Sequence, residues 1–147
     1  KAIEAILAAT DHIEIYFAAN VMFEPLIGEM FRNALIMRAG PAHNDFVTPA
    51  VVSAASDDFR RNLANTITLL KMLNGDETHG KANRELMSGW VEKYLPLCSE
   101  AASGLESVWG LADSGELDYA GNVGDARLRC KDILTEIGVG LPAGMTL

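Results

Sequence analysis

Residues 82–109 read ANRELMSGWVEKYLPLCSEAASGLESVW. Within them Ala82, Leu86, Trp90, Tyr94, Leu97, Ala101, Leu105 and Trp109 recur at steps of three and four, the stripe of an amphipathic helix. One helix is therefore expected from Glu77 to Leu111, on the order of 50 Å long at ~1.5 Å per residue, with a bend at Pro96. That length exceeds the width of a small domain and points to a bundle of long helices. Asp76 supplies an N-cap, and Asn74-Gly75 is a pair suited to left-handed backbone that closes the helix before it.

Upstream, Thr48 reads as an N-cap followed by Pro49 at the first helical position, where the missing N–H costs nothing. Val52, Phe59, Leu63, Ile67, Leu70 and Leu73 form its inward stripe, opposed by Asp57, Arg61, Asn65 and Lys71. A first helix spans about Ala2 to Ala39 and stops at Gly40-Pro41, with a kink or break near Glu24 imposed by Pro25. Its run Ile13 to Phe23 is apolar on nearly every side, so two faces need cover. Another segment or another subunit supplies that cover; alternatively this is the central helix of the domain itself. Downstream, residues 113–124 are rich in Gly, Asp and Ser and read as a loop. A short helix capped by Asp125 follows, with Leu128, Ile133, Leu134 and Ile137 inward and a stop at Gly138; residues 139–147 form an irregular tail.

These elements make residues 1–147 a single all-α domain. Helical periodicity is already running at Ile3, Ile6 and Leu7, so the sequence reads as a piece of a longer protein. A net charge of −8 with pI near 4.8 argues against a surface that tracks phosphates, and no nucleic-acid partner is expected. The most apolar stretch, Ile13 to Met37, is interrupted by Glu14, Glu24, Glu29 and Arg32, which excludes a membrane span. Cys98 and Cys130 form no C-x-x-C pair, and the chain is assigned to the reducing cytoplasm.

A bundle of long helices raises carboxylate-bridged di-iron chemistry, which needs a Glu from each of two helices and an E-x-x-H from each of two others. Three residues before His12, His43 and His79 stand Ala9, Gly40 and Asp76, so the motif is absent. The nearest approach is Asp76-x-x-His79, where Asp76 reads as the helix cap and His79 as a first-turn residue. Glu14, Glu24 and Glu29, spaced by ten and five, do not share a face, so each meets an Arg or a backbone donor or reaches solvent at the kink. No phosphate loop, dinucleotide fingerprint or nucleophile motif occurs, and neither cysteine has a nearby histidine. Trp90 and Trp109 read as core. No catalytic, metal or cofactor-binding residue is assigned.

Three stretches carry a more specific signal: Asn20 to Arg32 (NVMFEPLIGEMFR), Asn44 to Ala55 (NDFVTPAVVSAA) and Asp76 to Arg84 (DETHGKANR). In this order they resemble the small (beta) subunit of the hydroxylases of bacterial multicomponent monooxygenases, the propane, methane, phenol and toluene enzymes. The likeness covers Ile3 to Gly138 and corresponds to the C-terminal part of such a subunit. It implies a ferritin-like bundle without di-iron ligands and a non-catalytic subunit. The implied partners are an alpha subunit holding the di-iron centre, a second beta subunit, a gamma subunit, a coupling protein, and a reductase carrying FAD and a 2Fe-2S cluster that draws on NADH. One atom of O2 would enter a hydrocarbon, a short-chain alkane such as propane or an aromatic such as phenol or toluene. Burial of the first helix between subunits makes Phe17, Met22, Phe23, Glu24 and Phe31 the expected interface residues. The competing readings are a stand-alone ferritin-like metal protein and a helical interaction module without a redox role.

Overall fold

A computed structural model describes residues 1–111 and 117–147. Every regular element among the described residues is helical. α1 (Ala2–Leu7) is followed by α2 (His12–Tyr16), which runs on without interruption into two π-helical stretches, Phe17–Gly28 and Met30–Ile36, and then α3 (Met37–Ala42). Residues 12–42 thus form one rod. α4 (Val47–Asn74), α5 (Gly80–Gly104), α6 (Glu106–Leu111) and α7 (Tyr119–Glu136) complete the chain.

The rod is the centre of the bundle, with α4, α5 and α7 packed against it. Phe17, Ala18, Val21, Met22, Leu26 and Ile27 of the rod meet Leu70 of α4, Met87 to Ala102 of α5, and Cys130, Ile133 and Leu134 of α7. A second cluster gathers Met30, Ala34 and Leu35 with Trp109 and Ala126. The chain's own helices cover Phe17 to Met22 of the apolar run, while Ile15 and Tyr16 stay 37% and 49% exposed. One line of its large buried side chains advances by four and five, from Phe17 through Met22, Leu26 and Met30 to Leu35. That is the repeat of a helix whose N–H groups reach five residues back, and Glu29 N–H indeed bonds to the Glu24 carbonyl.

Several boundaries differ from expectation. The first helix breaks at residues 8–11 because the Asp11 carboxylate accepts the Ile13 N–H at 2.8 Å and starts a new helix. Pro25 does not end the rod, which runs on through it in the wider turn. Gly40-Pro41 does not stop it either; the chain turns at Asn44, whose φ of 61° is left-handed. Gly40 serves instead as a point of contact, because a Cβ there would lie 2.7 Å from Pro49 Cγ of α4.

The cap of α4 is Asp45 rather than Thr48. Its Oδ1 accepts from the N–H groups of Val47 and Thr48, both at 3.0 Å, so Thr48 already lies in the first turn. Gly75 is not left-handed (φ −88°). The end of α4 is closed by side chains of α5 instead: Asn83 Nδ2 donates to the Leu73 carbonyl at 2.7 Å and Arg84 to that of Asn74. Asn74 in turn donates through Nδ2 to the carbonyl of Ile137 at 2.7 Å, fastening the end of α7.

The long third helix is interrupted at Leu105, after Gly104, and its regular part begins at Gly80 behind the Asp76-capped turn. Its inward line runs through Met87, Trp90, Val91, Tyr94, Leu95, Cys98 and Ala102. Ala82 and Leu86, expected inward, face solvent. Of the expected loop, residues 113–116 lie outside the described residues, and residues 119–124 are helical. α7 starts six residues before Asp125, where Asp118 accepts the Gly121 N–H at 2.9 Å. Its inward face is Ala126, Cys130, Ile133 and Leu134, continued by Ile137, which turns Leu128 outward. Residues 139–147 contain no helix, yet Val139 is buried and Leu141, Met145 and Leu147 pack on the core.

The reassigned face of α5 is testable against α4. Leu70→Ala, at a side chain 0% exposed, should lose about 2–5 kcal/mol in urea unfolding. Leu86→Ala, at a side chain 52% exposed, should stay within about 0.5 kcal/mol of the parent.

Candidate functional site

The Asp76-x-x-His79 pair is a cap. Asp76 Oδ1 accepts the N–H of His79 at 2.6 Å and that of Thr78 at 3.0 Å, with His79 Nδ1 at 3.2 Å. The His79 backbone bond, then that of Thr78, holds the carboxyl below its ordinary value. Among the described residues, no group of three or more His, Cys, Asp or Glu side chains is placed to hold a metal.

Glu14 and Glu24 find basic partners within the chain. Glu14 accepts from Lys93 Nζ at 2.7 Å and from the Tyr94 hydroxyl at 2.8 Å, and the Lys93 ammonium lies 4.8 Å from the centre of the Tyr94 ring. The bond to Glu14 raises the Lys93 pKa, while burial, then the Glu14 bond, raises that of Tyr94. These contacts tie the start of the rod to α5. Glu24 pairs with Arg32 eight residues on, and the Arg32 guanidinium sits 5.6 Å from the centre of the Phe59 ring of α4. Glu29 is half-buried.

Burial pushes both the Cys98 and the Cys130 thiol up to about 12, which leaves almost no thiolate at neutral pH. Trp90 packs on Phe17 with ring centres 5.5 Å apart, and Trp109 on Tyr119 at 5.6 Å. Both tryptophans belong to the core.

The five residues expected at a subunit interface separate. Phe17 and Met22 are 0% exposed within the bundle. Phe23 and Glu24 are half-buried, and Phe31 is 39% exposed. Exposed apolar side chains also cluster at the far end of the rod. The end of the rod, the start of α4 and α6 converge around a groove of about 380 Å³ lined by Leu35, Ile36, Ala39, Val108 and Leu111 among others. Beside it, Phe46 and Val47 of the α4 start are 68% and 74% exposed, and Leu111 is 82% exposed. These exposed apolar side chains make this face a candidate interaction surface. Sequence reasoning passed over it because Phe46 and Val47 stood outside the expected helix. Val47 and Val51, one turn apart, form a second apolar line beside the core stripe.

The two aspartate caps give a pH signature. Asp45, held below its ordinary 3.8 first by the Thr48 hydroxyl and then by the Thr48 N–H, behaves like Asp76. A carboxyl with a lowered folded pKa stabilises the fold above about pH 4, and that contribution is lost as pH falls through the unfolded and then the folded value. Asn keeps the capping oxygen but does not titrate. The double variant Asp45→Asn/Asp76→Asn should therefore show a shallower fall of Tm between pH 5 and pH 2 than the parent, measured by thermal melts.

Comparison with known proteins places this geometry. The family model described as Methane/Phenol/Alkene Hydroxylase matches residues 1–77. The chain is 31% identical over 142 residues to the hydroxylase component small subunit of propane 2-monooxygenase from Rhodococcus jostii (strain RHA1). It is 32% identical to the proteins of that description from Gordonia sp. (strain TY-5) and Mycolicibacterium smegmatis. Each alignment takes in 97% of this chain and 39% of the relative, so the chain spans about two-fifths of the length of the relatives it matches. With its all-helical, ferritin-like bundle, this chain belongs to the methane/phenol/alkene hydroxylase family.

Proposed function

We propose that the chain is the C-terminal part of the small (beta) subunit of a soluble di-iron hydroxylase, and that it is a structural rather than a catalytic element. The observation that carries this reading is the match along 97% of the chain to proteins described as hydroxylase small subunits. A small subunit implies a larger one. In this reading the alpha subunit holds the di-iron centre, and O2 is cleaved there to insert one oxygen atom into a hydrocarbon, propane or another short-chain alkane by likeness to the relatives. NADH supplies the electrons through a reductase with FAD and a 2Fe-2S cluster. A second beta subunit, a gamma subunit and a coupling protein complete the assembly, which works in the cytoplasm. Residues of this chain make no bond to the reacting atoms.

What the chain contributes is a shaped apolar surface on a rigid support. Phe46, Val47, Val51 and Leu111 expose the side chains that an interface would desolvate, and Phe31 stands on the same rod as the groove residues Leu35 and Ile36. The wrapped rod and α4 hold these positions.

Co-expression with the larger hydroxylase chain, recognised by its two E-x-x-H motifs, tests the assignment. The two should purify together, with iron retained by the larger chain after separation. Phe46→Asp/Leu111→Asp should weaken association by about 2 kcal/mol or more, roughly thirty-fold in Kd, with little change in Tm of the isolated chain. Iron bound by this chain in isolation, together with oxidation of a substrate unaided, would overturn the assignment.

A further inference from the structure

The central rod combines a wide turn, an internal proline and an ion pair spanning eight residues. In an ordinary α-helix the carbonyl four residues before a proline is left without its donor, and the pyrrolidine ring presses against it. For Pro25 that carbonyl belongs to Val21. In the i→i+5 register the carbonyl of Val21 is due to the N–H of residue 26, and the gap left by Pro25 moves to Asn20. Cys130 Sγ, meanwhile, lies 3.4 Å from the Val21 oxygen and donates to it. That oxygen therefore has a partner in either register.

Glu24 responds to the same choice. With Phe17 and Val21 inward, an α-helix turns position 24 toward the core, because it lies seven residues after Phe17. The wide turn puts Leu26 there instead and leaves Glu24 beside Arg32. Gly28 makes room for the pair: a Cβ at this residue would stand 2.0 Å from Glu24 Oε2 and 3.1 Å from Arg32 Nη1. Phe59 of α4 receives the far side of the guanidinium.

We propose that Pro25, together with the Glu24–Arg32 pair seated over Gly28, forms a register lock that holds residues 17–36 in the wide turn. Opening the pair releases the segment into a longer α-helix and displaces the Phe31–Met37 end of the rod relative to α5. The lock thereby sets which side chains the apolar end presents. It is a device within this chain and holds whether or not the proposed subunit role is correct.

Spin labels at His12→Cys and Arg38→Cys, both exposed and flanking the segment, measure its length by electron–electron resonance in the full chain. Cys98 and Cys130 are sealed in the core and leave the two new thiols as the labelled positions. The parent should give one short distance. Pro25→Ala/Arg32→Met should lengthen it by on the order of 5 Å, as the segment takes up the ~1.5 Å rise of an α-helix. Gly28→Ala, which expels Glu24 from its seat, should add a second, longer population. A folded double variant with the parental distance overturns the proposal. Should that variant fail to fold, an unchanged single distance in Gly28→Ala and in Glu24→Gln overturns it instead, and a longer population in either supports it.

Discussion

A helix at the centre of a bundle must settle the polar groups it turns inward without help from solvent, and residues 12–42 are built around that constraint. The rod contains Glu14, Glu24, Glu29 and Arg32 and a proline that donates no hydrogen bond. Widening the turn moves Leu26 onto the core line and keeps Glu24 at a half-buried position within reach of Arg32. Glu14 is met from α5 by an ammonium and a phenol. An unpaired carboxylate in this position would cost far more than either pair contributes, because removing a charge from water without a partner is the expensive step. The outer helices thus supply partners to the rod's charged groups, although the buried Arg32 Nε has no hydrogen-bond partner among the described residues.

Helix periodicity revealed much of the architecture before any coordinates. The inward line of α4 through Val52, Phe59 and Leu70, the cap at Asp76, and the core roles of Trp90, Trp109 and Ile133 all follow from spacing and capping chemistry. The rod was harder to read. One line of its large buried side chains advances by four and five, which a template of three and four reads as apolarity all round and hence as a face that needs outside cover. The α7 start was missed because Gly121 and Gly124 look like loop residues, although Gly121 is the seat on which the Asp118 cap rests: a Cβ there would lie 2.2 Å from Asp118 Oδ2. Caps were displaced by one to several residues wherever two candidates stood close together, as with Asp45 and Thr48.

The candidate site was less legible than the fold, for a physical reason. Chemical sites advertise themselves through residue types at fixed spacing, whereas a docking surface is a matter of which apolar side chains the core leaves uncovered. Phe46, Val47 and Leu111 differ from core residues in placement, and placement depends on how the rod, α4 and α6 converge. His79 sits at a helix start, and the two thiols are sealed by the bundle.

Asn74 adds a different kind of consequence. One amide joins the last turn of α4 to the carbonyl that ends α7, across 63 residues of sequence, while Asn83 and Arg84 close the neighbouring carbonyls from α5. Three helix ends therefore share a single corner, and none can fray by itself without stripping hydrogen bonds from another. Such a corner behaves as one cooperative unit in local opening, and thermal fluctuations there are expected to be all-or-none rather than gradual.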